Sequence, residues 1–414
     1  MNAEIFQKRR NCLVNNLEKD EIVIIFANDP ISGSGTGAFR FLQNSNFYYF
    51  TGLDTPEAVL VMGKNGDTFF DTVFVEKNIP ERIVWDGEKM YPEEVTQISG
   101  IKNVQFLEGF DSYISYQLFR CEKAYINIGL QDWKKPLSKQ ALFAERMKKI
   151  IPSLTVKDVD LLIKPLRNIK DETEIEAITE AIRVTWAGIE GIWEIAQPGM
   201  MEYELEAKLR YEMERRACTY GFLPIIGAGK NAATLHYINN NSKVGENELV
   251  LLDVGASYKH YSADIARTFP VSGKFTDRQR EVYAEVLFIQ KEVISMMKPG
   301  VAMNDVFKKT RELMFESLKK LNLIQEESEV NQYFMHGIGH HLGLDVHDLG
   351  DRDFILQEGM VTTIEPGIYI PEESIGVRIE DDILITSDGH RILSDFIPKE
   401  IEDIERILAE KKRK

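Results

Sequence analysis

Cysteine is scarce in this sequence: three in 414 residues, Cys12, Cys121 and Cys218, far apart and with no C-x-x-C pair. Neither a disulfide framework nor a thiolate zinc site is suggested, and a reducing cytoplasm fits. Long apolar runs are lacking too. No uncharged apolar stretch approaches the ~18 residues that a membrane span requires. The N-terminal "MNAEIFQKRRNCLVNNLEKD" alternates charge with apolar residues at helical spacing and has no apolar signal-peptide core. Neither export nor anchoring is expected. Positive charge is in deficit, 50 Lys and Arg against 66 Asp and Glu, for a formal charge of −16. Nucleic acid and anionic membrane are therefore disfavoured as partners, because a polyanion is repelled where no basic patch intervenes. The closing "AEKKRK" is basic, but cations at the end of a predicted helix complement its dipole.

The length exceeds one ordinary core, so two domains are expected. In the first part, "EIVIIFAN", "FYYFTG", "EAVLVMG" and "TVFVEK" read as short strands between Asp, Gly and Asn turns, and "LSKQALFAERMKKII" reads as a helix. "GSGTGA", Gly33 to Ala38, superficially fits a dinucleotide fingerprint. Such a loop should open a helix, whereas the strand-like "FRFLQNSNFYYF" follows, so a plain surface loop is expected. A boundary falls near residue 165, giving domains 1–165 and 166–414. Beyond it, Asp171 with Glu174 three positions on forms the capping-box pattern that starts a helix.

The second part carries an internal repeat. One half runs helix, "AQPGMMEYELEAKLRYEMERRA", then the strand pair "LVLLDVGASYKHYSADIARTF". The other runs helix, "MKPGVAMNDVFKKTRELMFESLKKL", then "VTTIEPGIYI" and "VRIEDDILIT". Pro198-Gly199 and Pro299-Gly300 stand 101 residues apart, each between two helices. Two similar α/β halves facing each other form one domain with a cleft between their sheets.

Acids stand inside the apolar runs of these strands. A hairpin folded about the midpoint of the first pair puts Asp253 opposite Asp264, as cross-strand neighbours on one face. The second half supplies Glu365 and Glu380. Like charges so placed need cations or shared protons. Four carboxylates and one imidazole suffice for two divalent ions about 3.5–4 Å apart. "HGIGHHLGLDVHD", His336 to Asp348, holds four of the seven histidines. His336 and His340 have helical spacing, but the glutamate of H-E-x-x-H is absent and Gly337, Gly339 and Gly343 oppose a helix. A loop that aims its imidazoles in different directions is expected.

"LLDVGASYKHYSADIARTFPV", "HGIGHHLGLDVHD", "TIEPGIYI" and "GVRIEDDILIT" together resemble, in order and spacing, the two-metal pita-bread peptidases, the group of methionine aminopeptidase, aminopeptidase P and prolidase. "RFLQNSNFYYFTGLDTPEAVLVM" resembles the N-terminal domain of aminopeptidase P and prolidase, which methionine aminopeptidases lack. The resemblance implies a smaller mixed α/β N-terminal domain before a pseudo-twofold pita-bread catalytic domain. It implies metal ligands at Asp253, Asp264, His340, Glu365 and Glu380, with Asp264 and Glu380 bridging. It places His236, His336 and His347 around the substrate, with Arg378 on the substrate side. His341, His260 and His390 match no requirement, and packing or exposure is expected for them. Trp85 sits in a stretch resembling one that, in oligomers of the family, approaches a neighbour's active site; an ordinary core tryptophan is the other expectation.

The chemistry so implied is hydrolysis of an N-terminal Xaa-Pro bond by a hydroxide held between two divalent ions. Glu365 moves the proton, His347 donates to the oxyanion, and His236 with His336 serves the proline side. Manganese is the expected metal, with cobalt, iron and zinc also accepted by such ligands. A peptide with proline second is the expected partner, in a cytoplasmic homo-oligomer, dimer or tetramer. The alternative is an Xaa-Pro dipeptidase confined to dipeptides. Pita-bread domains also serve as metal-free binding modules or as a creatine-hydrolysing enzyme. Those typically lose the ligands, and here all five positions keep them.

Overall fold

A computed structural model describes the chain except for residues 32, 34–38, 67 and 412–414. Apart from Gly33, the "GSGTGA" stretch therefore lies outside the described residues, as does the end of "AEKKRK". The chain divides into two compact units, Met1–Leu166 and Arg167–Lys414. Among the described residues, no helix is long and apolar enough to cross a membrane.

The first unit is built on a six-stranded sheet in the order Val104–Phe106, Thr68–Val75, Val59–Asn65, Glu21–Phe26, Lys123–Ile126, Thr155–Asp158. The central Glu21–Phe26 pairs antiparallel with Val59–Asn65 and parallel with Lys123–Ile126. All six of its residues are buried, as befits a strand covered on both faces. Helices Phe110–Leu118 and Lys139–Ile150 cover one face through Phe110, Ile114, Leu118, Ala144 and Met147. One expectation fails here: "FYYFTG" is not a strand. Ser45–Thr51 is a helix whose Asn44 side chain caps the Phe47 N–H. Phe47, Tyr48, Tyr49 and Phe50 are all buried, so no polar face reveals the helical period.

In the second unit, Asp171 caps the helix Glu172–Ile195 through the Thr173 and Glu174 N–H groups, and the Glu174 side chain accepts from the Asp171 N–H. The repeat is visible atom by atom. Gly199 and Gly300 both have the positive φ, 93° and 87°, that favours glycine. Their N–H groups donate to Val244 O at 2.8 Å and Leu356 O at 2.9 Å. Two residues on, Met201 bridges to Lys243 and Ala302 to Ile355. The helices Glu202–Glu214 and Met303–Lys320 then begin.

Each half contributes a three-stranded antiparallel sheet. In one, Leu249–Val254 lies between Ile225–Ala228 and Ile265–Pro270; in the other, Asp381–Ile385 lies between Val361–Ile364 and His390–Ile392. The halves meet where the Glu380 N–H donates to Ala266 O at 3.0 Å. The fully buried Arg267 crosses the same seam to Asp381 at 2.7 Å. Asp264 and Glu380 occupy equivalent places, each one residue ahead of a strand.

The hairpin register differs from expectation. Its two-residue turn is Lys259–His260, both at positive φ, which closes Tyr258 onto Tyr261. Asp253 consequently pairs with Ala266 rather than Asp264. By the same count Gly255 faces Asp264, so the two acids are diagonal neighbours on one face.

Candidate metal centre

"HGIGHHLGLDVHD" is a loop that runs beside the edge strand Val361–Ile364. The Glu365 N–H donates to Ile338 O, the Thr363 N–H to His340 O, and the Leu342 N–H to Val361 O, all at 2.9–3.0 Å. A Cβ on Gly339 would lie 1.9 Å from Thr363 O, so glycine is what permits this approach. The loop closes on itself where the Asp348 N–H reaches His341 O at 2.9 Å. That same carbonyl accepts from Nδ1 of His340 at 3.0 Å, which turns Nε2 toward the carboxylates.

A cavity of about 290 Å³ is lined by Asp253, Asp264, His340, Glu365, Glu380, His236, His336, His347 and Arg378. All the residues singled out in the sequence as ligands or substrate contacts are thus brought to one place. One donor atom each from Asp264, His340 and Glu380 fall within 4.8 Å of one another. Nε2 of His340 is 3.4 Å from Asp264 and 3.8 Å from Glu365. The Asp264 carboxyl also lies against those of Asp253 and Glu380.

Among the described residues, Oδ1 of Asp253, Oδ1 of Asp264 and Oε1 of Glu380 are buried without a hydrogen-bond partner. Burial, then the neighbouring acids, push the Asp264 and Glu380 carboxyls well above the usual range. Burial raises Glu365 to about 7 against the opposing pull of His340 and Arg378. Oxygens so placed lack a positive charge, and a set of carboxylates with one imidazole nitrogen suits a divalent ion.

Arg378 is buried and donates to Asp253 through Nη1 and to the Tyr369 hydroxyl through Nε at 2.8 Å. It therefore holds a carboxylate of the cluster besides facing the cavity. Nδ1 of His336 pairs with Gly337 O at 2.7 Å, so its Nε2 accepts from the Tyr369 hydroxyl at 2.8 Å. Burial, then Arg378, lowers His336 to about 3, which makes it neutral in the working range. His347, exposed at the cavity, stands edge-on to His340 with 4.2 Å between ring centroids, and partial desolvation followed by His340 lowers its pKa. His236 is exposed at the cavity wall.

The remaining histidines are structural. His341 is 2% exposed and lies against Phe354, His260 forms the hairpin turn, and His390 pairs with Met297 O. Trp85 is 85% exposed on the short helix Pro80–Asp86.

Two side chains of the site escaped the sequence reading. Tyr369 links Arg378 to His336; it lies in the strand Gly367–Ile370, and its signal was its place four residues after Glu365 in the run "TIEPGIYI". Asp382 is fully buried with Oδ2 accepting the Asp264 N–H at 3.2 Å. It follows Glu380 by two, so strand alternation pointed to it as well.

A carboxylate-lined cleft with unsatisfied oxygens and a prepared imidazole, set between two like halves, defines a metal-dependent enzyme. The chain belongs to metallopeptidase family M24, whose family model matches residues 176–387. Residues 6–126 match the N-terminal domain of aminopeptidase P. The chain is 34% identical to the Xaa-Pro aminopeptidase of Escherichia coli over 98% of this chain and 97% of that one. It is also 34% identical to human Xaa-Pro aminopeptidase 3, over 97% of this chain and 85% of the relative. Among solved structures, aminopeptidase P from E. coli with the inhibitor Pro-Leu superposes with a TM-score of 0.92 at 30% identity, covering 100% of both chains. A Bacillus anthracis protein assigned as an aminopeptidase P gives a TM-score of 0.96 at 40% identity, covering 99% of each.

Proposed function

We propose that this chain removes the first residue from peptides whose second residue is proline, using two divalent ions held by Asp253, Asp264, His340, Glu365 and Glu380. It is a metal-dependent Xaa-Pro aminopeptidase. The observation that carries the two-ion reading is the set of partnerless buried carboxylate oxygens on Asp253, Asp264 and Glu380, facing one cavity with His340. Asp264 and Glu380, equivalent in the two halves and in contact with each other, are suited to touch both ions.

When bound, the ions supply Lewis acidity and a water of lowered pKa. The protein's own groups do the rest. Glu365, facing the cavity beside His340, takes a proton from the attacking water and passes it toward the leaving nitrogen. His347 donates an N–H to the developing oxyanion. His236 and the neutral His336 line the proline side, and Arg378 fixes Asp253 while facing the substrate. A proline amide has no hydrogen to donate, so a pocket of imidazoles and apolar walls accepts what an N–H-binding site rejects.

A second cavity, of about 890 Å³, shares His336, His340, His347 and Glu365 with the first and continues past Phe307, Phe334 and Phe354. That room supports substrates longer than dipeptides. Manganese is the proposed metal and a homo-oligomer in the cytoplasm the proposed form. The test is release of alanine from Ala-Pro-Ala by the purified protein with manganese added. Loss of hydrolysis on chelation and its return with metal is expected; activity in metal-free protein would sink the reading.

A further inference from the structure

We propose that Glu202 is a positioning residue that fixes the loop carrying His236, and so sets where this imidazole meets the proline side of the substrate. The inference rests on the substrate role proposed above for His236.

Glu202 is the first residue of the helix Glu202–Glu214 and is fully buried. Its Oε1 accepts from the Ala228 N–H at 2.8 Å and from the Asn231 side-chain amide at 3.0 Å. Its Oε2 accepts from the Tyr237 hydroxyl at 2.7 Å and from the Ser242 N–H at 2.8 Å. All four donors are neutral and all lie on one stretch, residues 228–242. His236 is inside that stretch, next to one of them.

A buried carboxylate is costly unless its oxygens are hydrogen-bonded. Here four donors and the positive end of a helix meet that need. The consequence is mechanical. Tyr237 is held twice, packed against the cluster that Ile225, Ala232, Leu251 and Tyr369 form and with its hydroxyl on Glu202. Leu235, on the other side of His236, packs in the same cluster. An exposed side chain on a loop has little packing to place it, so His236 takes its position from these flanking anchors.

Glu202→Gln keeps the shape but turns an amide NH₂ toward two donors, which removes their acceptor. With manganese-loaded enzyme and Ala-Pro-Ala, kcat/KM is expected to fall by on the order of 10- to 100-fold, the loss that misplacement of a reacting group by about 1 Å produces. Metal content should not change. In a His236→Ala background the same substitution should alter kcat/KM by less than about 2-fold, because the group it acts through is gone. An equal loss in both backgrounds, or no loss in the single variant, overturns the proposal. Should Glu202→Gln fail to fold, Tyr237→Phe removes only the hydroxyl bond and enters the same cycle with His236→Ala. If the wild-type protein binds metal yet cleaves no Xaa-Pro peptide, the proposed function fails, and amide hydrogen exchange over residues 234–242 still tests the anchor. Faster exchange in Glu202→Gln is expected, and unchanged exchange overturns it.

Discussion

His340 presents Nε2 3.4 Å from Oδ2 of Asp264 while its Nδ1 donates to the backbone of His341. One nitrogen is thus fixed by the loop and the other left for a ligand. His336, four residues earlier, has both nitrogens engaged, with Gly337 and Tyr369.

This contrast predicts different phenotypes. His340→Ala should lower metal occupancy, with part of the activity recovered by added metal. His336→Ala and His347→Ala should keep their metal and slow turnover; for His347, loss of one oxyanion donor should cost on the order of 10²–10³ in kcat, about 2.7–4 kcal/mol. His341→Phe, which keeps the ring against Phe354, should change neither. Metal analysis by mass spectrometry alongside kinetics decides the matter, and metal loss in His336→Ala with full occupancy in His340→Ala would show the wrong imidazole assigned to the metal.

Asp264→Ala and Glu380→Ala should each disturb both ions, because each carboxylate is proposed to bridge. Titration with manganese followed by calorimetry should show loss of both tight sites. A variant that still bound two ions tightly would not have lost a bridge.

Chain length separates the two peptidase readings. With the second cavity open beyond His347, Ala-Pro-Ala and longer peptides should be cleaved at least as well as Ala-Pro. Hydrolysis confined to the dipeptide would instead select the dipeptidase.

Asp348 anchors the histidine loop through a buried ion cluster, paired with Arg167 and, at 3.1 Å, with Lys170. Burial alone would raise its pKa, but the two cations outweigh that and hold it below the usual carboxylate range. A depressed folded pKa gives stability that is present above the unfolded value of about 3.9 and lost as pH falls through the folded one. Asp348→Asn should therefore cost about 3–5 kcal/mol at neutral pH, since Arg167 and Lys170 stay buried. The gap in melting temperature should hold from neutrality down to about pH 5 and close only below about pH 4. A gap that narrowed by pH 6 would point to another group.

What the sequence carries by itself is local and periodic. Asp253, Asp264, Glu365 and Glu380 stand out because each is an acid set in an apolar run of the sequence, and the capping box at Asp171 and Glu174 is complete within four residues. The paired Pro-Gly turns signal the repeat for the same reason: a turn depends on its own few dihedrals. Where the sequence reading failed, the deciding forces came from elsewhere in the chain. Ser45–Thr51 looks like a strand because its whole circumference is buried, and only the packing around it shows that it is a helix. The hairpin register depends on which two residues between the strands take positive φ, a choice of Lys259 and His260 that neither side chain announces. Tertiary structure alone decided that Arg378 would hold Asp253, that Tyr369 would join Arg378 to His336, and that Glu202 would gather four donors from a loop up to 40 residues away. Those are contacts between segments distant in sequence, and a buried polar group takes whichever partners the fold brings within about 3 Å, because leaving it unpaired costs more than any local preference.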